Sequence, residues 1–382
     1  MNLRGRKIFV TGATGFIGGR LVEKLILEEG ADVVALVRNF KSASRLARFP
    51  VKMIGGDVLD EACLAKAMDG CSAVIHCAVD GSGTPEQNRR VSVEGARNIC
   101  QAAKKLGVQR MVHLSTISVY GRTAPGVLDE LAPKSPHPDP YGMVKLEAEN
   151  VVLDFAKSGV PCTVLQPTVV YGPWSHWTVS TAQLLGTGKV ILPDNGEGRC
   201  NAVYVDDVAN AIFCACRSTQ SIPGPYLISA EASVAWADYY RAYMPWIPES
   251  SIEGEPFEKM EKKFARQQLI GSIAPTFFSD SVRLKISKMI RKFPSIWQAY
   301  NAGRGKNTER DASGLLRAFP LIKPDPNRHV SPPQGNIRFM ALRSDASIKK
   351  AQDELGYQPQ FDLARAMQQV GPWLQWAGFA PR

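Results

Sequence analysis

The chain has 382 residues, of which 45% are hydrophobic and 21% charged; this excludes a disordered or collagen-like polymer and leaves two domains, or one large α/β domain with a cap. A formal net charge of +10 favours an anionic partner without choosing among a phosphorylated small molecule, a lipid surface and nucleic acid. Eight cysteines (Cys63, Cys71, Cys77, Cys100, Cys162, Cys200, Cys214 and Cys216) show no Cys-x-x-Cys pair and no His spacing suited to zinc, so they are expected to be reduced, buried thiols of a cytoplasmic protein with no metal site.

The first predicted element starts at about Lys7, which leaves no room for a signal peptide, and no run of about 18 apolar residues exists to span a bilayer. Ile8, Phe9 and Val10 lead into Gly12, Gly15 and Gly18 at steps of three, and Leu21 and Leu25 continue from Ile17 at steps of four. That pattern predicts a strand, a glycine turn and a helix. Bare backbone at a helix start presents unpaired N–H groups and the positive end of the macrodipole, a place for a phosphate. The competing reading is a turn whose glycines serve only tight packing.

Further strands are predicted at Asp32–Arg38, Val51–Asp57, Ala73–Cys77 and Arg110–Ser115, with a helix from about Pro85 to Lys105 between the last two. Short apolar strands alternating with helices call for a doubly wound parallel α/β sheet, with ligands at the carboxyl ends of its strands. Arg38 ends the second strand, where a guanidinium can fork onto a ribose 2′-phosphate, so NADP is favoured over NAD; Lys41 is a supporting charge. Asp57 suits either a cap on the next helix or a hydrogen bond to an adenine amino group. After Thr116 at the end of the fifth strand, Tyr141 and Lys145 open a helix at a spacing of four, on one face. A nearby ammonium can stabilise a phenolate and move the phenol toward a useful acid–base range, while the Thr116 hydroxyl holds a substrate oxygen.

In this order the motifs resemble those of the extended short-chain dehydrogenase/reductases, the NAD(P)-dependent epimerase/dehydratase family. The matching residues are Thr11-Gly-Ala-Thr-Gly-Phe-Ile-Gly18, Gly56-Asp57, His76-Cys-Ala78, Leu114-Ser-Thr-Ile-Ser-Val-Tyr-Gly121, Pro140-Tyr-Gly-Met-Val-Lys145, Val170-Tyr-Gly-Pro173 and Val203-Tyr-Val-Asp-Asp-Val-Ala209, with Asp353-Glu-Leu-Gly-Tyr357 near the end. The resemblance implies Thr116, Tyr141 and Lys145 as catalytic residues. It implies that Gly12, Thr14, Gly15, Phe16, Ile17, Gly18, Arg38, Asp57, Val58, Ala78, Lys145, Pro167 and Thr168 line a nicotinamide cofactor. It also implies a homodimer through the helices at about 86–105 and 141–157. The expected Rossmann domain covers 1–172 with a return at about 199–230, and a smaller substrate-binding cap takes 173–198 and 231–382.

Four positions depart from the family's pattern. Gln166 and Val169 stand where its nucleotide-sugar enzymes carry the Arg and Asn of Arg-x-x-Asn-x-Tyr-Gly-Pro, Ser92 stands where an asparagine is usual in the preceding helix, and Ile117 stands where dehydratases carry an acid. Trp174, His176 and Trp177 cluster in a predicted loop, either to meet the substrate or to anchor the loop on the body. A basic insertion at about 245–333 carries, from Glu258 to Arg317, 13 Lys or Arg against 5 Asp or Glu. Its apolar positions between Val282 and Tyr300 recur at helical spacing, interrupted by Pro294, so residues 280–300 read as a lid or as a peripheral contact with an anionic membrane. No interleaved aromatic platform accompanies the charge, which argues against nucleic acid. Pro324, Pro326, Pro332 and Pro333 predict a stiff connector back to the fold.

The resulting expectation is an oxidoreductase that moves a hydride at a secondary alcohol or ketone carbon of a small, lipid-like substrate. The alternatives are a nucleotide-sugar 4-epimerase or reductase and a non-catalytic NADP sensor.

Overall fold

The computed structural model describes residues 1–79, 84–218, 224–276 and 325–380; the amphipathic stretch at 280–300 lies outside them. Seven short apolar strands form the central sheet: β1 (Lys7–Thr11), β2 (Asp32–Val37), β3 (Lys52–Gly55), β4 (Ala73–His76), β5 (Arg110–Leu114), β6 (Cys162–Pro167) and β7 (Pro225–Ile228). They lie in the order β7-β6-β5-β4-β1-β2-β3 and every neighbouring pair is parallel. The strand order reverses between β1 and β4, which opens a crevice at their carboxyl ends. Register makes those ends level: Thr11 pairs with His76, and His76 with His113.

Helices cover both faces, as an all-parallel sheet requires. On one side α1 (Phe16–Leu27) packs on the sheet. On the other, α2 (Glu61–Ala67) is followed by α3 (Pro85–Arg89), which runs through a π-helical turn at Arg90–Glu94 into α4 (Gly95–Lys105), and by α5 (Pro140–Lys157). Capping residues set the starts: Thr84 and Gln87 form a capping box with Pro85 at the first turn of α3, and Asp139 accepts from Tyr141 and Gly142 N–H at the start of α5. Two apolar layers result. Leu21, Leu25, Ile212 and Phe213 fill one, and Leu64, Ile99 and Val152 the other. Each such side chain removed from water contributes about 1.5–3 kcal/mol.

The remaining chain builds the cap around a second core of Tyr171, Trp236, Tyr239, Tyr243, Val370 and Leu374. It begins with α6 (His176–Thr187) and is interrupted by α7 (Val205–Arg217), which packs back against α1. The strand Gly188–Pro193 sits at the middle of a three-stranded parallel sheet, between Ser251–Glu255 and Asp325–Val330. The basic insertion therefore leaves and rejoins the cap on opposite sides of one strand. Pro326, expected in a stiff connector, lies within an edge strand instead; the pairing register shifts between Asp325 and His329, and an edge tolerates the missing N–H. No helix of the described residues is long and apolar enough to cross a membrane.

One buried carboxylate ties the chain's last segment to the sheet domain: Asp207, in α7, accepts the backbone N–H groups of Gln360 at 2.8 Å and Phe361 at 3.0 Å. Asp207→Ala leaves both donors orphaned in a buried setting and is expected to lower stability by about 3 kcal/mol, read as a shift of the urea midpoint at constant slope.

Candidate active site

The turn between β1 and α1 is shaped by what cannot fit there. Gly12 has φ 69°, and a Cβ on it would lie 2.6 Å from the Cys77 carbonyl carbon and 2.7 Å from the Ala78 nitrogen. A Cβ on Gly18 would lie 2.2 Å from the Gly12 oxygen. The turn is therefore pressed between the end of β4 and the first turn of its own helix. Gly15 caps α1 without any side-chain hydrogen bond, and no acidic residue stands in the helix's first turn. Thr14, Phe16 and Ile17 border this turn and are partly exposed. An uncapped helix start of this kind fits an anionic diphosphate.

Around the crevice, Thr11 Oγ1 lies 2.7 Å from His76 Nδ1 and accepts the Ala78 N–H at 3.3 Å. Arg38 follows β2 on the surface. Asp57 does not cap α2, as one reading expected: it accepts the Leu59 N–H at 2.9 Å, and Asp60 caps the helix through the Cys63 N–H at 3.0 Å. The two residues between Asp57 and Asp60 place that helix start beyond Asp57's reach. Val58 is buried against Gly95. Pro167 closes β6, and Thr168 Oγ1 donates to the Ile228 carbonyl at 3.2 Å.

Thr116, Tyr141 and Lys145 come together at the end of β5. Thr116 starts a 3-10 turn by accepting the Ser118 N–H at 3.3 Å, and its hydroxyl lies near enough to the Tyr141 phenol to favour the phenolate. Tyr141 is 48% exposed as a residue, while its phenol sits in buried surroundings. Burial there pushes the phenol above its ordinary value, and Thr116 opposes this only in part. Lys145 is buried and donates Nζ to the Leu114 carbonyl. Desolvation pulls it down to about 8, while Cys77 and Glu149 act in the opposite sense. The expected lowering of the phenol by the ammonium is thus reversed in this structure, because Lys145 is bonded to Leu114 and desolvation dominates at Tyr141.

Sequence reasoning missed two buried groups here. His76 and His113 stack with ring centroids 5.2 Å apart. His76 Nε2 and both ring nitrogens of His113 have no partner among the described residues. Burial holds both rings neutral, His76 down at about 3, so neither supplies a proton near pH 7. Their adjacency requires the β4/β5 register, which no local pattern announces. The second missed group is the carboxylate of Glu149, four residues beyond Lys145; the helical period could have found it.

The three candidate substrate residues do not share one environment. Ser175 caps α6, so the expected loop is a helix start there. Trp174, at φ 74°, packs between Trp373 and Trp376 with Arg45 stacked 5.1 Å above it. Trp177 lies 5.4 Å from Trp236 and 6.2 Å from Phe339. Both are anchored in the cap's aromatic core, while His176 is exposed at the first residue of α6.

A seven-stranded parallel sheet, a glycine cradle at the β1/β4 crevice and a Tyr/Lys/Thr cluster beside it define a Rossmann-like α/β fold with a candidate active site. Residues 8–229, more than half the chain, match the NAD dependent epimerase/dehydratase family, and the chain belongs to that family. It is 32% identical over 183 residues to a putative dihydroflavonol 4-reductase of Synechocystis sp., covering 46% of this chain and 53% of that one. It is 30% identical over 216 residues to a 2-alkyl-3-oxoalkanoate reductase of Stenotrophomonas maltophilia, covering 55% and 64%. The chain thus spans between half and two thirds of the length of these relatives. Its fold is shared over 97% of this chain and 98% of the other with UDP-glucuronic acid 4-epimerase from Bacillus cereus in complex with NAD, at a TM-score of 0.66 and 18% identity.

The buried lysine carries a stability cost with a defined pH dependence. Its folded value of about 8 lies below the ordinary 10.5, so folding opposes its charge, fully below pH 8 and progressively less as pH rises toward 10.5. Lys145→Met is expected to raise stability at pH 7 by about 2–3 kcal/mol, with the gain shrinking by pH 9.5. Denaturant melts at the two pH values measure it.

Proposed function

We propose that the protein is an NADP-preferring oxidoreductase acting at the secondary alcohol or ketone carbon of an apolar small molecule. The observation that carries this reading is the convergence of the Tyr141 phenol and Thr116, with Lys145 buried one helical turn on, at the edge of the glycine cradle. Gly12, Gly15 and Gly18 would hold the diphosphate, Arg38 the 2′-phosphate and Lys145 the nicotinamide ribose. When bound, the nicotinamide supplies or accepts the hydride.

The chain's own part is proton transfer and orientation. With its phenol pushed up by burial, Tyr141 is protonated at neutral pH and serves as the acid in ketone reduction, giving the Oη proton to the carbonyl oxygen. Thr116 Oγ1 holds that oxygen in line. The Lys145 ammonium then favours the phenolate left behind, which takes a proton back before the next turnover.

An apolar substrate is supported from two sides. Val79, next to Ala78, and Met143, two residues after Tyr141, leave 45% and 47% of their surface exposed. Gln166 and Val169 are buried, Gln166 within a polar network and Val169 in strand pairing with Ala202, so neither replaces the phosphate contacts expected of a sugar-nucleotide site. The 2-alkyl-3-oxoalkanoate reductase relative has a name of the same substrate class.

Tyr141→Phe is expected to lower NADPH-dependent turnover on a panel of alkyl and aryl ketones at least about 100-fold, with NADPH affinity nearly unchanged by fluorescence titration. Unchanged turnover on the best ketone of the panel overturns the assignment. For the wild type, reductive kcat/KM should stay level from pH 6 to 7.5 and fall as Lys145 loses its proton through about pH 8; Lys145→Arg, whose charge persists, should lack that limb whatever its rate.

A further inference from the structure

Behind the Tyr/Lys pair the structure holds a polar cluster that the reaction does not use directly. Glu149 is fully buried on α5, eight residues after Tyr141 and four after Lys145, on the same face. Its carboxylate accepts the Ser115 hydroxyl at 2.5 Å, the Gln166 amide at 2.9 and 3.1 Å, and Lys134 Nζ. Gln166 is held in turn by the Tyr120 hydroxyl at 2.7 Å, and Lys134 lies 5.9 Å over the Tyr120 ring. A carboxylate with no exposure is tolerated only when donors and a counter-charge surround it. Position 166, where the resembled enzymes carry an arginine, supplies hydrogen bonds here but no charge. The charge comes from Lys134, in the loop that leads into α5.

We propose that Glu149 is a positioning residue: its carboxylate, neutralised by Lys134 in place of a residue-166 arginine, clamps α5 to the ends of β5 and β6 and so sets Tyr141 and Lys145 against Thr116. The proposal rests on the reading of Tyr141 and Lys145 as the reacting pair. Ser115 precedes Thr116 directly, so one bond joins the catalytic helix to the catalytic hydroxyl's own backbone. Lys134 adds the entry loop of α5 to the same point, and four segments of chain converge on two oxygen atoms.

Charge makes the role more than mechanical. The titratable and charged groups facing Lys145 are His76 and Cys77 from the end of β4, His113 from β5 and Glu149 from its own helix. Cys77 is pushed up to about 12 by burial and the histidines are neutral, so Glu149 is the anion that helps keep Lys145 protonated. Facing Glu149 are Lys134 from the loop, Tyr120 after β5 and Lys145 on α5, with Glu130 reaching Tyr120 from the far side.

The test uses the full chain with NADPH and the best ketone substrate. Glu149→Gln keeps the shape and removes the charge. It is expected to lower kcat about tenfold with little change in KM, and to move the alkaline limb of the pH profile to lower pH. Lys134→Met leaves the buried carboxylate without its counter-charge, so it should lower both thermal stability and kcat, with Lys134→Arg restoring kcat and the double variant Lys134→Met/Glu149→Gln restoring stability. An unchanged kcat and alkaline limb in Glu149→Gln, with Tyr141→Phe inactive, overturns this proposal alone; an active Tyr141→Phe overturns the reading beneath it. If Glu149→Gln does not fold, a Lys134→Met variant with wild-type kcat at pH 8 overturns it equally.

Discussion

The architecture depends on a contact between bare backbones. Gly12 lies so close to the Cys77–Ala78 peptide that a single Cβ would collide with it, and Gly18 meets the Gly12 carbonyl in the same way. This approach fixes where α1 starts relative to the end of β4, and the strand order reverses at that point. The crevice, the uncapped helix start and the level ends of β1, β4 and β5 all follow from a place where side chains are excluded.

Against that fixed edge, the candidate reacting groups are governed by desolvation. Tyr141 is pushed up and Lys145 pulled down, each toward its neutral form, and both His76 and His113 are held uncharged. A site whose resting groups are nearly neutral favours proton donation from the phenol, and it makes the few remaining charges matter more in the low local dielectric. Glu149 and Lys134 are two of those charges. They belong to the polar cluster on the helix that carries the pair.

The cap is organised by aromatic packing rather than by polar contacts to the crevice. Trp174 accepts a left-handed backbone, a conformation that costs on the order of 1–3 kcal/mol for a bulky residue, and is held there by Arg45, Trp373 and Trp376. The loop after β2, the chain leading into α6 and the helix Leu363–Trp376 are joined through this one ring. The same core surrounds the strand that receives the basic insertion on its two sides.

Local pattern was enough for much of this. Five strands, the glycine turn and the Tyr141/Lys145 helix face are written in periods of two, three and four residues, because strand alternation and helical pitch act over a few neighbours. Glu149 was legible by the same period and was overlooked. The rest needed three dimensions. The capping role went to Asp60 because helix starts are set by backbone placement. Pro326 joined an edge strand because a partner was present, and the tryptophans turned inward because a distant helix offered them an apolar surface. By itself the sequence determined the family, the sheet and the candidate residues for chemistry. Only the tertiary structure decided their protonation and their partners, since desolvation and hydrogen bonding depend on segments far apart in the chain: Ser115, Lys134, Glu149 and Gln166 meet only when β5, β6 and α5 are packed together.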